Sequence, residues 1–347
     1  MGSIGDLLKQ KPRKQKHQDF VAIDLDPTGV RCVRVKKSGD GLAVFAAGAF
    51  SGVELSADIL AGTASVPEMQ LPKLFHAKRA GVSVAGGGAV VKLLNLAGQV
   101  DQDSDDKIRE HLGLGDGQYR ISYHSLGVER GSSETRVLAV ALPEGHVQAV
   151  NLMFPQGLPI PVSVEVSGLA ALSAFAAGPL KKHKDDAVGV VEYGAEVSYV
   201  SFFNKRELVF IRRFDFGIFN LLKKIMQALG VEMDVARNII VDGSFDVSQA
   251  VKEVSDPFVK QLVISRHFVE RRENCRVAGM YVPDGDWVPR DWLGEIKTAM
   301  GFDLHFWDPF QSGGLNVQPN ALAPGLENQK SRFAAAVGVA LGAFEEE

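Results

Sequence analysis

Phe20-Val-Ala-Ile-Asp24-Leu-Asp26-Pro-Thr28-Gly29-Val-Arg31-Cys-Val-Arg-Val35 runs from an apolar strand through an acidic residue and a tight turn into a second strand. In the middle of the chain, Ala187-Val-Gly-Val-Val-Glu192-Tyr-Gly194-Ala195-Glu196-Val-Ser198-Tyr-Val-Ser-Phe202-Phe203 repeats that plan. Each copy continues through a polar turn, Lys37–Gly41 or Asn204–Glu207, into a third apolar run. One such unit in each half predicts a two-lobed α/β protein with an acid placed at the same strand end in both halves.

Composition bounds what the lobes can do. A chain of 347 residues is long for one core and predicts two or more subdomains. Apolar residues make up 46% and charged residues 23%, which reads as globular. The formal net charge of −4 supplies no overall attraction to nucleic acid. Cys32 and Cys275 sit in apolar, strand-like surroundings and read as buried, reduced packing residues of a cytoplasmic protein. No apolar run approaches the roughly 20 residues that span a bilayer, and the start lacks a signal-peptide core. Residues 1–18 form a basic leader, with Ile4, Leu7 and Leu8 at helical spacing ahead of Lys9, Lys11, Arg13, Lys14 and Lys16. Two readings stand for it, a solvated tail and a peripheral contact with an anionic inner leaflet.

Working outward, residues 19–81 read as the first part of lobe one, 82–153 as an α+β insert, and 154–184 as a return to lobe one. The second lobe is expected over 185–330, and a helix over 331–347 is expected to pack back on the core. Within the insert, Ser104–Leu112 reads as a helix with acids in its first turn and Gly113 as its stop. In lobe two, Phe219–Leu229 is an amphipathic helix stopped by Gly230. Asp256-Pro257 reads as a cap and first-turn pair opening a long helix to Arg272.

In this order the segments resemble the actin-like superfamily, and within it the PilM family of type IV pilus assembly proteins, relatives of the division protein FtsA. The resemblance rests on the strand unit after a basic leader, the insert in lobe one, and the second strand unit leading through Arg212-Arg-Phe-Asp-Phe-Gly217 into a helix. The tail Phe302-Asp-Leu-His-Phe-Trp-Asp308-Pro-Phe310, with the closing Ala-Val-Gly-Val-Ala-Leu-Gly helix, completes it. It implies a duplicated ribonuclease H-like fold with an FtsA/PilM-type insert. It also implies ATP and Mg²⁺ bound between the lobes, and the cytoplasmic tail of PilN, an inner-membrane protein, held in a groove beside the insert. The function it implies is a cytoplasmic scaffold, peripheral at the inner membrane, that links PilN to other pilus proteins. It leaves a homodimer open.

The phosphate chemistry that this family uses needs glycine-exposed amides, a carboxylate for Mg²⁺, and a cation or hydroxyl on the β-phosphate. Asp24, Thr28 and Arg31 keep parts of that set beside Gly29, but Asp26 stands where the family has glycine. In the second unit Glu192 replaces aspartate and Gly194, Ala195 and Ser198 keep the loop, while Glu196 adds an acid. On the adenosine side, the glycine pairs become Gly217-Ile218 and Gly279-Met280. Each added acid facing a triphosphate unscreened would cost on the order of 1 to 4 kcal/mol at effective dielectrics of 80 down to 20. The reading is therefore a degenerate nucleotide site, with ATP and Mg²⁺ weak or absent and no assigned catalytic residue. If ATP does bind, Asp24 and Glu192 hold its metal. Two alternatives stand beside the scaffold: a nucleotide-gated ATPase or switch, and an FtsA-like membrane-associated polymer.

Other signals are local. His111-Leu-Gly113-Leu-Gly115-Asp-Gly117 follows a helix and precedes a strand, the reverse of a dinucleotide fingerprint, so it reads as a loop. Asp101, Asp103, Asp105 and Asp106 lack the glycine and closing glutamate of a calcium loop. Trp287, Trp292 and Trp307 read as core or lobe-edge residues.

Overall fold

The computed structural model describes residues 18–39, 41–51, 55–98, 104–128, 133–155, 157–285 and 288–344. The leader apart from Gln18 lies outside them, as do Asp101, Asp103, Trp287 and the closing Glu345–Glu347. The chain divides into two units, one comprising 1–178, 309–324 and 333–347, the other 179–308 and 325–332.

The first unit is built on the opening motif. β1 (Asp19–Asp26) pairs antiparallel with β2 (Gly29–Ser38), which pairs antiparallel with β3 (Gly41–Phe50). After the short helix α1 (Ala57–Leu60), β4 (Arg79–Val84) returns parallel to β1. It was expected to open the insert but is a buried member of the large sheet, because its run Ala80-Gly-Val-Ser-Val84 is covered on both faces. The insert proper is a three-stranded sheet of β5 (Val90–Ala97), β6 (Tyr119–Val128) and β7 (Glu134–Pro143), in the order β5-β7-β6. Helix α2 (Asp105–Leu112) covers it and ends at Gly113 in the left-handed conformation, where a glycine is cheapest. Ile108 and Leu112 bury against Leu96, Val137 and Ala139 as the insert's own core.

Helix α3 (Glu144–Leu152) leads out of the insert to β8 (Ile160–Val166), which pairs parallel with β4. Helix α4 (Ser167–Ala177) follows.

The second unit repeats the first sheet. β9 (Ala187–Tyr193), β10 (Ser198–Asn204) and β11 (Glu207–Phe214) form an antiparallel meander. Four helices come from the second half: α5 (Ile218–Leu229), α6 (Met233–Asp242), α7 (Ser248–Arg272) and α8 (Arg290–Met300). Strands β12 (Val277–Tyr281) and β13 (Leu304–His305) add to β9 in parallel. Its core packs Phe214, Phe216, Phe258 and Trp292 over the sheet, with Phe216 and Phe258 stacked at 4.7 Å.

Three further boundaries differ from expectation. α7 begins at Ser248, and Pro257 lies inside it. Val247 stands at the cap position, and Asp246 ahead of it accepts from the Ser248 amide at 3.0 Å in a local turn. Pro257 removes one amide from a helix of 25 residues, which the buried face of Val251, Phe258, Val259 and Leu262 outweighs. Residues 309–324, expected in lobe two, belong to the first unit, where β14 (Asn316–Val317) pairs with β3. The closing helix α9 (Ala334–Gly342) is shorter than read, because Glu327–Phe333 is 3-10 helix, and it lies against α4 and the first sheet.

The strand orders β3-β2-β1-β4-β8 and β11-β10-β9-β12-β13 are the same order with the same directions. That is the ribonuclease H-like sheet present twice, the duplicated α/β arrangement of the actin-like fold. No helix among the described residues is long and apolar enough to cross a membrane.

Candidate functional site

In the first unit the hairpin from β1 to β2 brings Asp24, Asp26, Thr28 and Arg31 into one cluster, since Asp24 lies opposite Arg31 and Asp26 opposite Gly29. Gly29 holds φ +135°, a conformation that favours glycine, and a Cβ there would meet the Phe50 carbonyl at 3.1 Å. Asp24 is buried, and both its oxygens are engaged. Oδ1 accepts from Ser83 Oγ at 2.8 Å and from Ser167 Oγ at 2.7 Å; Oδ2 accepts from Arg31 Nη1 at 3.3 Å.

Asp26 Oδ1 accepts from the Thr28 amide at 2.8 Å and from the Thr28 hydroxyl. Arg31 Nη2 donates to Thr28 Oγ1 at 2.7 Å and lies 3.6 Å from Asp26. The guanidinium is spent on two carboxylates, with its side chain 6% exposed. Burial raises the Asp24 carboxyl above its ordinary value; Arg31 opposes the rise and the neighbouring Asp26 charge adds to it.

In the second unit the turn after β9 is strapped to the start of α5. The Ile218 amide donates to the Gly194 carbonyl at 3.0 Å and the Phe219 amide to the Ala195 carbonyl at 2.9 Å. The Gly217 amide donates to Asn220 Oδ1 at 2.9 Å, and Ser198 Oγ donates to the Phe216 carbonyl at 2.6 Å. Helix N-terminal amides, the ordinary anchor for a phosphate, are thus bonded to the protein's own carbonyls. Glu196 is exposed and Glu192 half-buried beside this turn.

Gly217 is extended, and its role is space. A Cβ there would stand 2.6 Å from the Gly194 oxygen and from the Ala195 carbonyl carbon, all backbone. Gly217→Ala is expected to cost about 1–3 kcal/mol and to raise hydrogen exchange at the Ile218 and Phe219 amides. Unchanged exchange there would mean that the strap gives way without cost.

Gly279 and Met280 are not with that turn. They pair with Val188 and Gly189, inside the sheet, whereas β9 runs on to Tyr193. Met280 is fully buried, and a Cβ on Gly189 would meet its sulfur at 2.6 Å; His305 covers Gly279. Met280 is therefore a core residue. The ladder continues through the Val282 amide, which donates to the His305 carbonyl at 3.0 Å, so the chain leaves β12 at Pro283-Asp284-Gly285. Ser83 and Ser167 are partners of Asp24 that sequence reasoning missed; a serine inside the buried run Val82-Ser83-Val84 is the one signal that marks the first.

Within each unit, the groups that a phosphate or its metal would use are engaged by the protein itself. The cation, both oxygens of Asp24, the Thr28 amide and hydroxyl, and the first amides of α5 already have partners inside the protein. No group of three His, Cys, Asp or Glu among the described residues is placed to hold a metal ion.

The comparisons with known proteins agree with the topology. Residues 112–344 match the profile of the family described as type IV pilus assembly protein PilM. No curated protein is detectably similar in sequence. Among solved structures, a PilM-PilN type IV pilus biogenesis complex is similar at TM-score 0.78 and 16% identity, over 96% of this chain and 100% of that one. A Bacteroides thetaiotaomicron protein with actin-like ATPase fold and unknown function follows at TM-score 0.48 and 8% identity, over 92% of this chain and 95% of that one. The ethanolamine utilization protein EutJ from Carboxydothermus hydrogenoformans gives 0.46 and 13%, over 97% and 92%. With two thirds of its length matched, carrying the second sheet, α5 to α8 and the closing helix, the chain belongs to the PilM family of type IV pilus assembly proteins.

Proposed function

We propose that this chain is a cytoplasmic, actin-fold scaffold of type IV pilus assembly. It holds the cytoplasmic tail of a PilN-like inner-membrane protein and connects it to the rest of the machine, which makes it peripheral at that membrane. Family membership and the likeness to a PilM-PilN complex support this reading. The observation that carries it is the closed Asp24–Arg31–Thr28–Asp26 network: the groups that a nucleotide would use are consumed internally, leaving protein contacts as the function.

Titration of ATP into the purified protein, with and without Mg²⁺, is expected to give no heat and no thermal shift at millimolar ligand. Micromolar binding that disappears in Asp24→Ala would replace this reading with a nucleotide-gated switch. In parallel, a synthetic peptide of the PilN-like protein's cytoplasmic tail, taken from the same genome, is expected to bind saturably. A peptide that never saturates would remove the scaffold role.

A further inference from the structure

We propose that the outer face of α7 over its C-terminal half, with β11 beside it, is a contact site for an anionic lipid surface. This goes beyond a tether through a PilN-like tail and does not depend on one. Every residue of the face lies in the second unit. Lys260, Ile264, Phe268 and Arg271 follow one another at spacings of four, four and three, so they form one stripe along the helix. Ile264 is 54% exposed and Phe268 42%, although the outer face of a helix is where polar residues belong. Phe268 is held in place. Its ring packs 6.0 Å from that of Phe210 on β11, and the Arg272 guanidinium lies 5.0 Å over it. Two apolar side chains one turn apart on a packed helix can enter a lipid boundary without any unfolding.

Charge selects the occupant. Lys260, Arg271, Arg272 and Arg212 flank the apolar pair, and all four are exposed. Arg212 reaches the helix from β11 by donating to Gln261 Oε1 at 3.1 Å. The turn from β10 to β11 adds exposed Lys205 and Arg206, with Glu207 as its one acid. It lies within four residues of Val209, whose carbonyl accepts from Arg272. The acids along the helix are committed elsewhere: Glu273 accepts from Arg272 at 2.8 Å, Glu270 from the Val277 amide at 3.1 Å, and Asp256 from Lys252 at 3.0 Å. A chain of net charge −4 thus gathers cations around exposed apolar side chains in one place. An acidic peptide would match the charge. A helix face is convex, however, and its apolar side chains project outward, which suits a fluid surface that they can enter while the cations stay at its headgroups. Phosphatidylglycerol supplies both the negative charge and the acyl boundary.

Co-sedimentation of the full-length chain with vesicles tests this. Binding is expected to vesicles of phosphatidylglycerol and phosphatidylcholine in equal parts, and not to phosphatidylcholine alone. It should weaken steeply as salt rises from about 0.1 to about 0.5 M. Lys260→Glu/Arg271→Glu should cut partitioning about twentyfold or more, since each cation near such a surface is worth about fivefold. Lys107→Glu/Lys223→Glu makes the same charge change on exposed lysines of α2 and α5, and should cost no more than about threefold. Ile264→Ser/Phe268→Ser leaves the charge unaltered and should still cost about tenfold. Melting of each variant without vesicles checks that it is folded, and the two charge variants change only exposed side chains. Equal loss in both charge variants would assign binding to net charge. Loss only on reversing Lys9, Lys11, Lys14 and Lys16 to Glu would assign it to the leader. Either result overturns the proposal. A chain that ignores both kinds of vesicle overturns it too, whether or not the PilN-like peptide binds, and leaves the face to an acidic protein partner.

Discussion

Arg31→Met is expected to destabilise the first unit by about 3–5 kcal/mol, because it leaves the Asp24 carboxylate buried without its cation. The two hydroxyls of Ser83 and Ser167 still donate to Asp24 Oδ1, but neither carries charge. Burial, opposed by Arg31 and assisted by Asp26, already holds the Asp24 carboxyl above its ordinary 3.8. Without Arg31 the rise is larger. An acid whose folded pKa exceeds its unfolded one contributes stability that is complete below the unfolded value and is lost as pH rises through the folded value. The deficit of Arg31→Met against the parent should therefore be largest at neutral pH and shrink as the pH falls towards the carboxylate range. Asp24→Asn in the Arg31→Met background should recover much of the loss at neutral pH, since no charge is then buried. Calorimetric melting of the three proteins checks this across that pH range. A deficit that stays constant, or an Asn variant that recovers nothing, would mean that Arg31 acts through packing of its stem and not through charge.

The cluster that this variant probes was half legible. Asp24, Asp26, Thr28 and Arg31 lie within eight residues, and hairpin periodicity alone puts Asp24 opposite Arg31. Ser83 and Ser167 are 59 and 143 residues away, and only the parallel return of β4 and the start of α4 bring them in. Spacing along a chain carries no record of such a meeting. The second unit shows the same division. The hairpin from β9 to β10 and the stop of α5 at Gly230 follow from alternation and a left-handed glycine. The assignment of Gly279-Met280 to a ligand loop does not, because a glycine in a five-residue strand marks close packing as readily as a turn. Here His305 fills the space over Gly279. Asp256-Pro257 misled for a related reason: it has the local form of a helix start, and only the apolar face running from Val251 shows that the helix is already under way.

Gly338→Ala is expected to be the most disruptive change of a single methyl, lowering stability by about 3 kcal/mol or more. Helices α4 and α9 meet backbone to backbone at this glycine. A Cβ there would lie 2.5 Å from the carbonyl carbon of Ala170 and closer still to its oxygen, and neither is an atom that can swing aside. Both helices are built for such an approach: α4 reads Ser-Gly-Leu-Ala-Ala-Leu-Ser-Ala-Phe-Ala-Ala and α9 Ala-Ala-Ala-Val-Gly-Val-Ala-Leu-Gly, with every residue of α9 buried. The neighbouring Val339 reaches Gly81 on β4, where an added Cβ would stand 2.5 Å from its Cγ1, so α9 cannot move towards the sheet to relieve the clash. Separation from α4 is the relief left. Because α4 begins at Ser167, which donates to Asp24 at 2.7 Å, the strain has a path to the carboxylate cluster. Hydrogen exchange should rise along β1 and α4 while β9 to β11 keep their protection, since that meander belongs to the other unit. Equal loss of protection in both sheets would show that the two units unfold as one, and that packing at Gly338 secures the whole chain rather than the first unit.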